Sequence, residues 1–374
     1  MASATTCFGY LQQIQDAGGL AIAQYRATDQ GYFIDDTWKA RPDLTISMGV
    51  RYEYNPPWTS KNDTTMNIWF PVGFGTVPGL HPCYVRVGSG DVYANTLVRF
   101  DPAICVTRDG RLGDRLVQAS AKDFAPRLGI AWSPSPKTTV RAGAGIFYVV
   151  DTGNPRFDMA RNLFGRVTSI ADIQTHNLTF EHPFAVSSTV CGVPSPPYVC
   201  ITSPQGLAND YYRRSPYVEQ YESNIQRLLS ANTVLEVGYL GSQGHRLERI
   251  TSLNLPAPAP TGSVSSRSPA PEFGNIQFMT PVVNSNYHGG SIKVTRRMSA
   301  GLTFLTSYTF SKSIDDGSSI RTLGSDQLKP QSGNCVSCER SLSIFDARHR
   351  FATSVLYSLP TGKGQAFANR GVGM

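Results

Sequence analysis

The sequence predicts an all-β protein: an antiparallel transmembrane β-barrel segment of about nine strands, with short turns at one end and long loops at the other. Three observations predict it. Apolar and polar residues alternate with period two through one segment after another, as in strands with one apolar and one polar face. Short and long connections alternate between those segments, the rhythm of a barrel with short turns on one side of a membrane and longer loops on the other. Charged residues make up only 16% of the chain, against about 25% in ordinary soluble proteins. The 17 Tyr, 18 Phe, 34 Gly and 25 Pro suit strands and turns.

The elements run in order as follows. "QGYFIDDTWK" leads through the short turn "ARPD" (40–43) into "LTISMGVRYEY", where Leu44, Ile46, Met48, Val50, Tyr52 and Tyr54 alternate with Thr45, Ser47, Gly49, Arg51 and Glu53. "FAPRLGIAWS" sets Phe124, Leu128, Ile130 and Trp132 against Ala125, Arg127, Gly129 and Ala131; after "PSPK" (134–137), "TTVRAGAGIFY" sets Val140, Ile146 and Tyr148 against Thr139 and Arg141. "YVEQYESNIQRLL" and "TVLEVGYL" meet at "SAN" (230–232), and "YHGGSIKVTRRM" meets "LTFLTSYTF" at "SAG" (299–301). In the latter, Leu302, Phe304, Thr306, Tyr308 and Phe310 face one way, and "RHRFATSVLYSL" follows with Phe351, Val355, Tyr357 and Leu359. The long connections are 55–123, 149–216, 242–286 and 313–346, with "NLPAPAPTGSVSSRSPAP" the most linker-like stretch.

Alternation by itself suits either a soluble β-sandwich or a barrel wall. The mid-strand charges Arg51, Glu53, Arg127, Arg141, Glu222, Glu236 and Lys293 favour the barrel. They are costly in a dry sandwich core and cheap facing a wet lumen. The aromatics agree: Trp38 and Trp132 precede short turns, while Tyr54, Tyr148 and Phe310 precede long loops, the two levels of interfacial girdles. Outer-membrane lipid is thus the expected partner of the apolar face. The net charge of +7 comes from basic residues scattered along the chain, with no run longer than two, which argues against a nucleic-acid partner. No apolar stretch is long enough for a membrane helix, and the first residues lack the basic and apolar regions of a secretory signal.

Little in the sequence suggests chemistry. Six of the seven cysteines, Cys83, Cys105, Cys191, Cys200, Cys335 and Cys338, fall as near neighbours in the long connections, which suits local disulfides in an oxidising compartment. A metal site at Cys335 and Cys338 would need a second ligand pair that is not visible. Asp35–Asp36 are adjacent on a strand and point to opposite faces, and Asp315–Asp316–Gly317 reads as a strand end turning into a loop. "GYLGSQG" lacks the following helix that a phosphate-binding loop requires and reads as a strand entering a loop. The six histidines stand alone. The sequence therefore predicts no enzyme, no catalytic residues, no cofactor and no metal site.

Five blocks carry a family resemblance: "YFIDDTWKARPDLTISMGVRYEYNPP", "DFAPRLGIAWSPSPKTTVRAGAGIFY", "PYVEQYESNIQRLLSANTVLEVGYLGSQGHRL", "SNYHGGSIKVTRRMSAGLTFLTSYTFSKSIDDGSS" and "ERSLSIFDARHRFATSVLYSLPTGKGQAF". In this order they resemble the β-barrel of TonB-dependent outer-membrane receptors, in particular the Oar-like branch. The resemblance implies a cell outer membrane location, a 22-stranded barrel closed by a plug, and energy-coupled uptake or surface binding of a bulky nutrient. The implied partners are the TonB energy-coupling complex, reached through the plug region, and an extracellular ligand whose identity the loops do not encode. No plug is recognisable in the sequence, so the expected organisation is an irregular segment over 1–28, part of a receptor barrel over 29–367 and a tail over 368–374. Two other classes are a cell-surface adhesion or matrix-interaction protein on the same barrel, and a soluble β-sandwich binding module.

Overall fold

The computed structural model describes residues 6–7, 10–11, 13–17, 24–96, 98–150, 166–170, 189–194, 199–201, 206–263, 265–274, 276–299, 301–318, 330–331 and 335–361. Nine long strands form its frame: β1 (Gln30–Arg41), β2 (Leu44–Tyr54), β3 (Asp123–Ser135), β4 (Thr138–Tyr148), β5 (Tyr217–Ser230), β6 (Thr233–Leu253), β7 (Ile276–Ser299), β8 (Leu302–Asp315) and β9 (His349–Tyr357). Each pairs antiparallel with the next, so the sheet is a continuous meander with β1 and β9 at its edges. Two short strands join it, Ser341–Leu342 on β8 and Gly206–Asn209 running parallel to the start of β7. Every strand expected from alternation is present. Among the described residues no helix is long and apolar enough to cross a membrane; the long elements are all strands.

The four short turns share one device. Register shifts fall at Lys39/Arg41, Trp132/Ser135, Leu228/Ser230 and Arg296/Ser299, each within a few residues of its turn. A bulge there increases the local twist that a curved wall needs. At the fourth turn Gly301 has φ +77, and a Cβ would meet the Ser358 carbonyl oxygen at 2.9 Å, so the position requires glycine.

At the opposite end the structure departs from expectation. "GYLGSQG" is strand interior, because β6 runs for 21 residues and β7 for 24, and the two ends of the segment expected to be a loop pair with each other through Leu253 and Ile276. The glycines serve packing: a Cβ at Gly241 would lie 2.1 Å from the Tyr221 ring, which covers that gap in the sheet. The strand pair reaches well beyond the 9–11 residues that cross a bilayer.

The long connections over 55–122, 206–212 and 254–275 are also no loose linkers. Met66, Ile68, Tyr84, Val98, Phe100, Ala208, Phe273 and Ile276 pack into one buried core, and Val85, Val87, Leu112, Leu116 and Val117 into a second. Buried polar side chains tie these segments together. Asn67 donates to the Leu116 and Asn209 carbonyls, both at 3.0 Å, and accepts from the Ile68 and Asn209 amides, both at 2.9 Å. Arg86 donates to the carbonyls of Asp63 at 2.7 Å and of Val92 and Ala94 at 2.8 Å. Burial, with Arg108 nearby, lowers its pKa, and burial pushes the Tyr84 phenol well above its ordinary value. In the segment that reads as a linker, Asn254 Nδ2 donates to the carbonyls of Ala270, Phe273 and Gly274, while its Oδ1 accepts from the Ala270 amide at 2.7 Å. That clamp folds the Pro-rich stretch back and buries Ala270 and Phe273. A disulfide joins Cys83 to Cys105, a second joins Cys335 to Cys338, and Cys191 is disulfide-bonded too. The loops thus form a packed roof. The 149–216 connection lies mostly outside the described residues.

The roof core should be separable from the wall. Ile68→Ala leaves a cavity costing about 2–5 kcal/mol. Hydrogen exchange is expected to quicken at the amides of 66–69 and 83–86 and to stay unchanged in β2 and β3.

Candidate functional site

The functional surface of this sheet is its pair of faces. Directly opposed residues on neighbouring strands share a face, so the register sorts side chains across all nine strands. One row runs Trp38, Ile46, Ile130, Ala142, Ser223, Tyr239, Gly290, Phe310, His349. The next row on the other face runs Lys39, Thr45, Ala131, Arg141, Asn224, Gly238, Ser291, Thr309, Arg350. All seven mid-strand charges expected to line a lumen fall on this second face.

The first face is apolar and uncovered. Ile34 is 71% exposed, Leu128 51%, Ile225 50%, Ile292 51% and Phe351 66%. Among the described residues no second sheet packs on it, and those side chains stand uncovered. Aromatic rings rank together where the strands approach the long loops. Tyr32 stacks with Tyr52 at 6.5 Å, Tyr52 meets Phe124 at 4.9 Å, and Tyr148 meets Tyr217 at 5.9 Å. At the short-turn end Trp132 Nε1 donates to Asp43 Oδ2 at 3.1 Å, which places an indole with its polar edge toward water.

Polar groups on the apolar face find one another. Tyr239 Oη lies 2.7 Å from His288 Nδ1, Tyr308 Oη lies 2.8 Å from His349 Nδ1, and the Thr306 and Thr353 hydroxyls are 2.9 Å apart. The two Tyr–His pairs repeat one geometry, each histidine sitting two residues before the partner directly opposite its tyrosine. Such pairing limits the cost of polar atoms in hydrocarbon. Sequence reading treated these histidines as isolated because their partners are more than 40 residues away. One side chain breaks the pattern. Asp36 opposes Met48 between Ile34 and Trp38, a carboxylate within the apolar band on edge strand β1.

The second face is laced with polar contacts. Arg141 Nη1 donates to Gln226 Oε1 at 3.2 Å, and Gln226 Nε2 donates to Glu236 Oε2 at 2.8 Å. Lys293 stands directly opposite Glu236. Arg51 Nε donates to Glu53 Oε1 at 2.6 Å, and the Arg127 guanidinium sits 4.9 Å over the Phe147 ring. Small residues make room for these long side chains; a Cβ at Gly31 would meet Arg51 Nη2 at 2.9 Å and one at Gly145 would meet Arg127 Cγ at 3.2 Å. A groove of about 230 Å³ opens beside Arg51 and Arg127, floored by Gly49 and bounded by Phe33 and Asp35. This is a wetted wall.

The remaining candidates lie in a strand, a turn and a disulfide. Asp35 and Asp36 face opposite ways, opposing Gly49 and Met48. Asp315 accepts from the Gly317 amide at 3.1 Å and from the Ser318 hydroxyl, closing β8 as a turn. Asp316 is buried, accepts from Arg340 Nη1 at 3.3 Å and from the Asn284 amide at 3.2 Å, and its carbonyl takes a hydrogen bond from Arg249 Nη1. Cys335 and Cys338 are joined to each other. No group of three or more potential metal ligands occurs among the described residues.

A family model described as "Outer membrane beta barrel domain" matches residues 2–373. No curated protein matches the chain. Among solved structures it is similar to the FrpB iron transporter from Neisseria meningitidis, at 10% identity and TM-score 0.35, over 78% of this chain and 26% of that one. It is similar to the FpvAI–pyocin S2 complex at 9% and 0.41, over 90% and 27%, and to the ferric-catecholate import receptor Fiu from E. coli K12 at 11% and 0.40, over 90% and 33%. The chain thus spans about a quarter to a third of the length of the structures it matches.

The two faces predict opposite responses to one substitution. Ile225→Arg on the apolar face should cost about 2–4 kcal/mol near the bilayer midplane, read as a lower urea midpoint for folding of the barrel that contains this chain into vesicles. Ser47→Arg, on the wetted face opposite Gly129, should leave that midpoint within about 0.5 kcal/mol of the parent.

Proposed function

Because the chain belongs to the outer-membrane β-barrel domain family and so resides in the outer membrane of a Gram-negative cell, we propose that it forms part of the barrel wall of a TonB-dependent, Oar-like receptor. The observation that carries this reading is one sheet with a lipid-type face of uncovered apolar side chains and an opposite face of hydrogen-bonded charges. The five sequence blocks supply the receptor family. The activity is energy-coupled uptake, or surface binding, of a bulky nutrient, with the roof of loops as the outward-facing surface and the TonB complex as the coupling partner through a plug.

The topology adds a constraint. Nine antiparallel strands alternate in direction, so β1 and β9 run the same way. Lipid does not tolerate unpaired strand edges, and antiparallel closure between these two edges takes an odd number of further strands. A packed, disulfide-tied roof also favours a second reading, a surface adhesion or matrix-interaction protein on the same wall.

In-cell photo-crosslinking from the lumen-facing position 127 separates the two. A receptor is expected to give a crosslink to a plug domain and TonB-dependent accumulation of its nutrient. An adhesin gives neither, and its loss weakens surface attachment instead.

A further inference from the structure

We propose that Lys312, Arg348 and His288, grouped around Phe310 and His349, bind the phosphate of an outer-leaflet lipid. The proposal depends on the outer-membrane placement and not on the receptor reading. Lys312 stands directly opposite His288, and two residues before it on the same face Phe310 stands opposite His349. The Arg348 guanidinium lies 5.9 Å over the Phe310 ring, which holds it to the same side of the sheet. Lys312, Arg348 and His288 are all exposed. None of the ion pairs among the described residues engages them. The nearest acid that the register places on this face is Glu219, over on β5 and facing His245 at 3.9 Å.

Depth places the cluster at a headgroup. Lys312 is ten residues past the start of β8 at Leu302, which at ~3.3 Å per residue and a tilt of ~40° is about 25 Å above the short-turn end. That is the height of the apolar band itself, so the cations stand at its rim. His288 is suited to the same ligand: when Tyr239 donates to Nδ1, Nε2 carries the proton and can donate outward. Exposed Leu342, at 52%, and Phe345, at 69%, lie in the segment leading to Arg348. Cations mixed with uncovered apolar side chains suit an amphiphile, phosphate at the rim and acyl chains along Phe310, Ile292 and Phe351, better than free phosphate.

The test is native mass spectrometry of the purified outer-membrane barrel that contains this chain, in detergent, titrated with diphosphoryl lipid A or with its dephosphorylated form. Diphosphoryl lipid A is expected to bind, and K312Q/R348Q to weaken it about tenfold, the loss of charge-assisted hydrogen bonds to phosphate. R141Q, on the opposite face, should bind like the parent. Heat-modifiable gel mobility reports whether each variant is folded; if the double variant is not, K312Q alone should weaken binding about threefold by the same reasoning. Equal binding of both lipid forms, undiminished binding by the folded variants, or an equal loss in R141Q overturns the site. Displacement of the lipid by equimolar inorganic phosphate overturns the lipid assignment.

Discussion

Everything in this wall follows from the need to satisfy backbone hydrogen bonds without water. In hydrocarbon each strand must bond its neighbours along its whole crossing, so the register is fixed from β1 to β9 and every side chain is assigned to a face. A slip of one residue in any pair would turn Ile46, Met48 and Val50 into the lumen and Arg51 toward lipid. Four of the bulges sit by the short turns, where they curve the sheet without disturbing the rows that cross the membrane. The same constraint explains why several polar side chains on the apolar face occur as partners, Tyr239 with His288, Tyr308 with His349 and Thr306 with Thr353.

Beyond the rim water returns, and the folding problem changes. Within the roof, apolar residues pack inward: Met66, Ile68, Tyr84 and Phe273 bury themselves while Ile34 and Leu128 stay open. Irregular backbone in such a core must have its carbonyls and amides satisfied one by one. Asn67, Arg86 and Asn254 do so, each bridging segments that are distant in sequence or folded back on themselves. The wall thus presents the roof, and these contacts fix the shape of the roof.

The wall was legible in the sequence and the roof was not. Period-two alternation is a local property, so all nine strands and the faces of Arg51, Arg127, Arg141 and Glu236 could be assigned from neighbours alone. The upper halves of β6 and β7 escaped because Gly241, Gly244 and Gly289 interrupt the alternation, and only the side chains that fill those gaps show why they are tolerated: Tyr221 at Gly241, Ser285 and Leu247 at Gly244, and Tyr287 at Gly289. "NLPAPAPTGSVSSRSPAP" has the composition of a linker; a single Asn254 clamp reverses that, and no local pattern announces it. The outer-face Tyr–His pairs and the cation cluster at Phe310 depend on register across strands, which composition cannot supply. Asp36 was visible, yet its place in the apolar band emerged only with its partner Met48.

The central claim is that one face of this sheet meets lipid and the other meets water. Spin labels placed singly from 302 to 310, in a Cys7→Ser background and in bilayers, test it most directly. Collision with oxygen is expected to peak at 302, 304, 306, 308 and 310, and collision with a water-soluble nickel chelate at 303, 305, 307 and 309. Equal accessibility to both reagents along the strand, or the opposite phase, would contradict it.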